Sequence, residues 1–135
     1  MNDPSEIVGA FIADYCRWNA EAKERYDQAR QSDDARIEAI DVAREEYATL
    51  LNKYCRPEFR GEPISFGTPS AHDPAFEQIQ STNTRGKRSL IKTRKVLEAD
   101  PEIGTDFEYR LTHDGGRWYL ESVKVVVRGR RYESL

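Results

Sequence analysis

The residues of this chain best suited to proton chemistry are two His-Asp pairs, His72-Asp73 and His113-Asp114. A carboxylate beside an imidazole can orient it and share its proton, as a general acid/base requires. Asp73 precedes Pro74, however, where an Asp serves equally as a turn or cap residue, and His72 in such a loop can simply bond backbone. His113-Asp114 runs into Gly115-Gly116 and falls at a hairpin tip. No Gly-rich phosphate loop, Ser/His/Asp set or metal-spaced carboxylate pair accompanies either pair. The sequence names no third group that would complete a site. No catalytic residue, cofactor or metal ligand is therefore assigned, and the chain is not expected to be an enzyme.

Aromatic side chains are the next candidates. Tyr15, Trp18, Tyr47, Tyr54, Phe107, Tyr109 and Trp118 could line a pocket together with His72. The same residues recur at helical and strand spacing, which is what a core requires without any ligand.

Two charged segments could recognise a partner. Arg85, Lys87, Arg88, Lys92, Arg94 and Lys95 form a basic run in which Lys92 and Arg94 would share one face of a strand. Such a surface suits phosphate, an acidic protein, or the defence of a sheet edge against aggregation. Asp33, Asp34, Glu38, Asp41 and Glu45 set up the opposite field on a helix. They are either an ordinary solvated face or a plug for a basic cleft, where complementary charge would speed association and exclude wrong partners.

The elements that must position these groups read as follows. Asp3 is an N-cap, Pro4 the first helical residue and Glu6 its reciprocal cap partner. Ile7, Phe11, Tyr15, Trp18, Ala22 and Tyr26 trace one face of a helix to about Arg30. Ser32, Asp33 and Asp34 offer a second helix start, although one continuous helix through Ser32 is also compatible with the sequence. Ile37, Ile40, Ala43, Tyr47, Leu51 and Tyr54 predict the inner face of the second helix, which Pro57 must end. Residues 57–75 hold four of the six prolines and form an ordered loop that Ile64 and Phe66 could pack down. Strands are expected over Ala75–Thr82 and Ser89–Leu97, with a turn at Asn83–Gly86 and a connection at Asp100–Gly104. Phe107, Tyr109 and Leu111 alternate with polar residues, Asp114-Gly115-Gly116 supplies a tight turn, and Trp118 and Leu120 open the returning strand. A short polar end follows Gly129. The order is two helices and then about four antiparallel strands, an α+β domain.

Composition sets the outer limits. With 135 residues, a single domain over 1–135 can bury a core without staples. The net charge is −3, which argues against a general nucleic-acid binder. Residues 1–56 carry 12 acids and 8 bases, whereas residues 57–135 carry 12 acids and 13 bases, so the acidity is concentrated in the helices. The first residues lack a basic start and an apolar stretch, and no apolar run approaches membrane-spanning length. A cytoplasmic protein with no membrane partner is expected. Cys16 and Cys55 fall in the helical part, about 10 Å out of level in a helical hairpin, too far for a disulfide.

These residues also resemble a known family. Ile64-Ser65-Phe66-Gly67-Thr68-Pro69, His72-Asp73-Pro74, Phe107-Glu108-Tyr109-Arg110-Leu111 and Gly116-Arg117-Trp118-Tyr119-Leu120, in that order after two helices, resemble the NTF2-like superfamily. Within it they are similar to bacterial NTF2-fold immunity proteins of polymorphic toxin systems. The resemblance spans roughly residues 5–130. It implies a cone in which two helices lie on a curved antiparallel sheet. It also implies a cytoplasmic protein that binds and neutralises a cognate toxin domain by occlusion. Other members use the cone as a pocket, so a small-molecule enzyme or ligand-binding domain is the alternative. A homodimer formed through the outer sheet face is a third possibility.

Overall fold

Asp3 opens the first helix by accepting from the Ser5 amide at 2.9 Å, and Pro4 follows it. The computed structural model describes residues 3–59, 61, 64–96 and 103–135. Helix α1 spans Pro4–Gln28 and α2 spans Asp33–Tyr54. The break between them is real. Ser32 turns extended and its hydroxyl accepts from the Ala35 amide at 3.1 Å, so a new helix starts there.

Among the described residues five strands follow: β1 Glu77–Arg85, β2 Arg88–Val96, β3 Gly104–Asp114, β4 Arg117–Val127 and β5 Arg130–Glu133. They form one curved antiparallel sheet in sequence order. The α+β expectation holds, with one more strand than about four. β5 pairs with Lys124–Val127 through its backbone, and all four of its residues are exposed, so no alternation of side chains announces it. β1 continues through Arg85, past the turn expected from Asn83. Only Glu77 in that strand is buried, so it too lacks a half-buried pattern. Gly115 and Gly116 lie at φ +58° and +80° between Asp114 and Arg117, the two-residue turn foreseen for this hairpin. The expected connection at Asp100–Gly104 and the strand end at Leu97 fall mostly or wholly outside the described residues.

Alternation along the strands decides which face is inside. Ile91, Thr93, Phe107, Tyr109, Leu111, Trp118, Leu120 and Val123 are buried on the concave face. Ile7, Val8, Phe11, Ile12 and Tyr15 of α1 cover them. The helix pair meets the sheet through α1, and α2 packs outside it. Trp18 locks the two helices, its indole N–H donating to the Ala43 carbonyl at 3.0 Å while its ring lies 4.8 Å from that of Tyr47.

The inner face of α2 differs from the expected one. Ala39, Ala43, Tyr47, Leu50 and Tyr54 are buried, whereas Ile37 is 57% exposed and Ile40 half-buried. Two small alanines let α2 approach α1 closely, and this sets the rotation of the helix in place of the larger isoleucines. Cys16 and Cys55 are both free thiols.

Candidate functional site

Glu77, His72, Tyr109 and Thr93 meet at the centre of the molecule. β1 supplies Glu77, β2 Thr93 and β3 Tyr109, all on the concave face, because Thr93 pairs with Phe107 and the neighbouring Ile91 with Tyr109. His72 arrives from the loop before β1. Asp73 fixes that approach by accepting the Phe76 and Glu77 amides on its carbonyl at 3.0 and 2.8 Å and the Ala75 amide on its side chain at 2.9 Å. Lys95 holds the preceding turn, donating to the Ser70 and Ala71 carbonyls at 2.8 and 3.0 Å.

His72 Nδ1 stands 2.9 Å from Glu77 Oε1 and 2.9 Å from the Tyr109 hydroxyl. Thr93 Oγ1 donates to Glu77 Oε2 at 2.6 Å, and the Tyr109 hydroxyl donates to the same oxygen. All four groups are satisfied when Nδ1 carries the imidazole proton, which leaves Nε2 as an acceptor toward Ser134 Oγ at 3.5 Å. Burial, reinforced by the charge of Glu77 and its hydrogen bond, raises the Tyr109 phenol well above its ordinary value. The rings of Phe107, Tyr15 and Phe11 enclose His72 at 4.5, 4.8 and 5.6 Å.

This is a carboxylate–imidazole–phenol set capable in principle of passing a proton, but it is closed. The side chains of His72 and Glu77 are wholly inaccessible, and Tyr109 is 0% exposed. Among the described residues no buried side-chain nitrogen or oxygen lacks a partner. The donors and acceptors of the set are spent on one another, as a buried polar network requires. Of the two roles open to Asp73 the structure shows the turn residue, and the carboxylate facing His72 is Glu77. His113-Asp114 does not make a pair either. His113 packs on Trp118 at 5.0 Å, and Asp114 accepts from Arg56 at 3.0 Å.

The eight side chains that could line a pocket are all buried in the core; Phe107 packs on His72 at the centre, Tyr54 packs edge-on against Phe11 at 5.6 Å, and the other six lie in three places. Tyr15, His72 and Tyr109 enclose the centre, Trp18 and Tyr47 fill the seam between the helices, and Trp118 closes the core near the β3–β4 turn. One cavity of about 300 Å³ reaches this neighbourhood from outside, bounded by Tyr15, Asn19, Phe66 and Ser134. Burial carries the Tyr15 phenol up to about 12. Asn19 clamps the wall of that cavity, donating to the Gly67 carbonyl at 2.8 Å and accepting its amide at 3.0 Å.

The charged candidates lie on the exterior except Lys95, which is partly buried and spent on the turn before β1. Lys92 and Arg94 share the outer face of the sheet, as expected, and both oppose acids. Arg94 is in register with Asp106 and bonds both its oxygens at 3.0 and 3.2 Å. Lys92 is in register with Glu108, whose carboxyl is held below its ordinary value by hydrogen bonds from Arg131 at 2.8 and 3.0 Å. Asp33, Asp34, Glu38, Asp41 and Glu45 are all exposed. Asp34, Glu38, Asp41 and Glu45 follow at intervals of four, three and four, so they form one stripe on the side of α2 turned away from Ala39, Ala43 and Tyr47. Asp33 and Asp41 pair with Arg36 and Arg44, each one turn on, at 3.0 and 3.1 Å. Among the described residues no ion pair involves Asp34, Glu38 or Glu45.

Glu77 and Thr93 are the site residues that sequence reasoning missed. Their signal was weak. Glu77 begins a strand that is exposed at every other position, and Thr93 was visible only as the middle member of the alternating Ile91, Thr93 and Lys95 positions. No helix among the described residues is long and apolar enough to cross a membrane, and no group of three or more His, Cys, Asp or Glu residues among them could hold a metal ion. Comparison with protein-family models, curated proteins and solved structures finds no match for this chain.

Proposed function

We propose that this protein binds and neutralises a cognate toxin domain, using the outward face of α2 to occlude a basic surface on it. The observation that carries the reading is the acidic stripe of Asp34, Glu38, Asp41 and Glu45, set opposite the helix's core face. Moving around α2, the stripe gives way to Ile37, 57% exposed, and then to Ile40, which borders a recess of about 360 Å³ with Tyr26, Ile64 and Phe66. Acidic residues beside an apolar anchor and a recess supply what an interface needs, charge to steer and a desolvated centre to hold. A standard interface of about 800 Å² on this side is within reach of a helix of this length. The closed centre adds support, since it leaves the exterior as the place for recognition. The basic strand is the weaker docking surface, because Arg94 is neutralised by Asp106 and Lys92 faces Glu108. The resemblance to bacterial immunity proteins supplies the class of partner.

The test is the affinity for the partner domain across ionic strength. Asp34→Lys, Glu38→Lys and Asp41→Lys together should weaken binding and flatten its salt dependence, with the helical signal intact. Unchanged affinity removes α2 from the interface.

A small-molecule enzyme is the second reading, favoured by the Glu77–His72–Tyr109 set and by the cavity that ends at Ser134, next to His72 Nε2. It requires the wall of Phe66 and Ser134 to open. A hydrophobic carbonyl or phenol probe that shifts the His72 ring resonances would support it, and silence at His72 across such probes would remove it.

A further inference from the structure

The outer face of the sheet is a charge ladder that is balanced at one end and unbalanced at the other. Toward β5 the signs alternate across the strands. Arg94 meets Asp106, Arg131 meets Glu108, and Lys124 reaches Glu133 at 3.6 Å. At the β1–β2 turn the alternation stops. Arg85 lies directly opposite Arg88, and Arg110 stands in the next row, in register with Leu90. Among the described residues no ion pair involves Arg85, Arg88 or Arg110. The three line a single recess of about 320 Å³, together with Asn83, Leu90 and Glu121. Glu121 is there because the register shifts between Arg110 and Leu111, which leaves it as the extra residue of a bulge.

Like charges directly opposed across two strands destabilise the pair. Arg85 and Arg88, directly opposed, therefore work against the isolated protein, and an anion seated between them and Arg110 reverses the sign of that interaction. We propose that this recess binds a small phosphate-bearing molecule, with Arg85, Arg88 and Arg110 as the phosphate ligands. Guanidinium forks match phosphate oxygens two at a time and stay charged at every accessible pH. A phosphate monoester brings nearly two negative charges and three terminal oxygens to three arginines, more than a single carboxylate can. Asn83 and Glu121 would hydrogen-bond hydroxyl or amino groups on the remainder of the molecule, and Leu90 offers it an apolar contact. The recess lies on the sheet face away from the helices, so this site and the α2 surface stand or fall separately.

Inorganic phosphate is the probe, titrated into the labelled protein at constant ionic strength with chloride as the balancing anion, while backbone and arginine side-chain N–H resonances are followed. Saturable shifts centred on Arg85, Arg88 and Arg110 are expected. Arg88→Thr with Arg110→Thr should weaken them about tenfold or more, the loss of at least one charge-assisted hydrogen bond. Arg94→Thr should bind as the wild type does. Without phosphate, the double variant should melt no lower than the wild type, because it relieves repulsion. Linear unsaturated shifts, a double variant that binds equally well, or tighter saturation by succinate than by phosphate would overturn the assignment.

Discussion

The Thr93 hydroxyl donates to Glu77 Oε2 at 2.6 Å and ties the second strand to the first beneath α1. With Tyr109 and His72 on the same carboxylate, the bond belongs to a network whose members cannot be removed singly without leaving a buried polar group unpaired. Thr93→Val and Tyr109→Phe should each lower stability by about 1–3 kcal/mol. Glu77→Ala should cost roughly 3–5 kcal/mol, because His72, Thr93 and Tyr109 all lose their acceptor. Denaturant unfolding of the three variants checks the order. Glu77→Ala as stable as the wild type would mean that the network is not formed in solution.

Asn19 and Gly67 make the second such tie, between α1 and the Pro-rich loop. Asn19→Ala removes both of its hydrogen bonds and should cost about 1–3 kcal/mol. The local effect is the sharper readout. Exchange of the Gly67 amide should quicken more than that of amides in β3. Uniform acceleration would show that the clamp is not local.

On the outer face, Arg131 holds the Glu108 carboxyl below its ordinary 4.5. An acid depressed in the folded state stabilises that state once ionised, above its ordinary value. The contribution is lost as pH falls through 4.5 and on through the lower folded value. Arg131→Met should therefore be less stable than the wild type at neutral pH, and the difference should shrink on acidification below about 4.5. A difference that is constant from neutral to acid pH would assign the effect to packing of the arginine stem.

The two thiols differ in environment. Cys55 is 2% exposed, and burial pushes its thiol up to about 12. Cys16 is partly exposed and raised less, by partial burial first and then by Asp73. A thiol alkylating reagent at mildly basic pH should label Cys16 slowly in the native protein and Cys55 only with denaturant present. Equal native labelling would place Cys55 at the surface.

Much of the helical half was legible because caps and periodicity act locally. Asp3, Pro4 and Ser32 set the starts of both helices. The rotation of α2 was not legible, since Ala39 and Ala43 displace Ile37 from the interface by fitting close to α1, a property of the pair of helices. The β3–β4 hairpin could be read from Phe107, Tyr109 and Leu111 with Gly115 and Gly116 between the strands. β1 was read only in part, as a strand over Ala75–Thr82, and its run to Arg85 and the whole of β5 were not legible, because both are held by backbone pairing and show no apolar alternation. The centre of the site failed for a different reason. Adjacency suggested His72 with Asp73, but the carboxylate that meets His72 is Glu77, five residues on, and Tyr109 and Thr93 reach it only through sheet register.

Co-expression tests the central claim most directly. In the source genome, the C-terminal domain of a large toxin encoded immediately upstream would be produced with this chain and without it. Growth arrest that the wild type relieves, with the two proteins co-purifying, and that the Asp34→Lys, Glu38→Lys and Asp41→Lys variant fails to relieve, is the predicted result. A toxic domain that the wild-type chain neither relieves nor binds would contradict it.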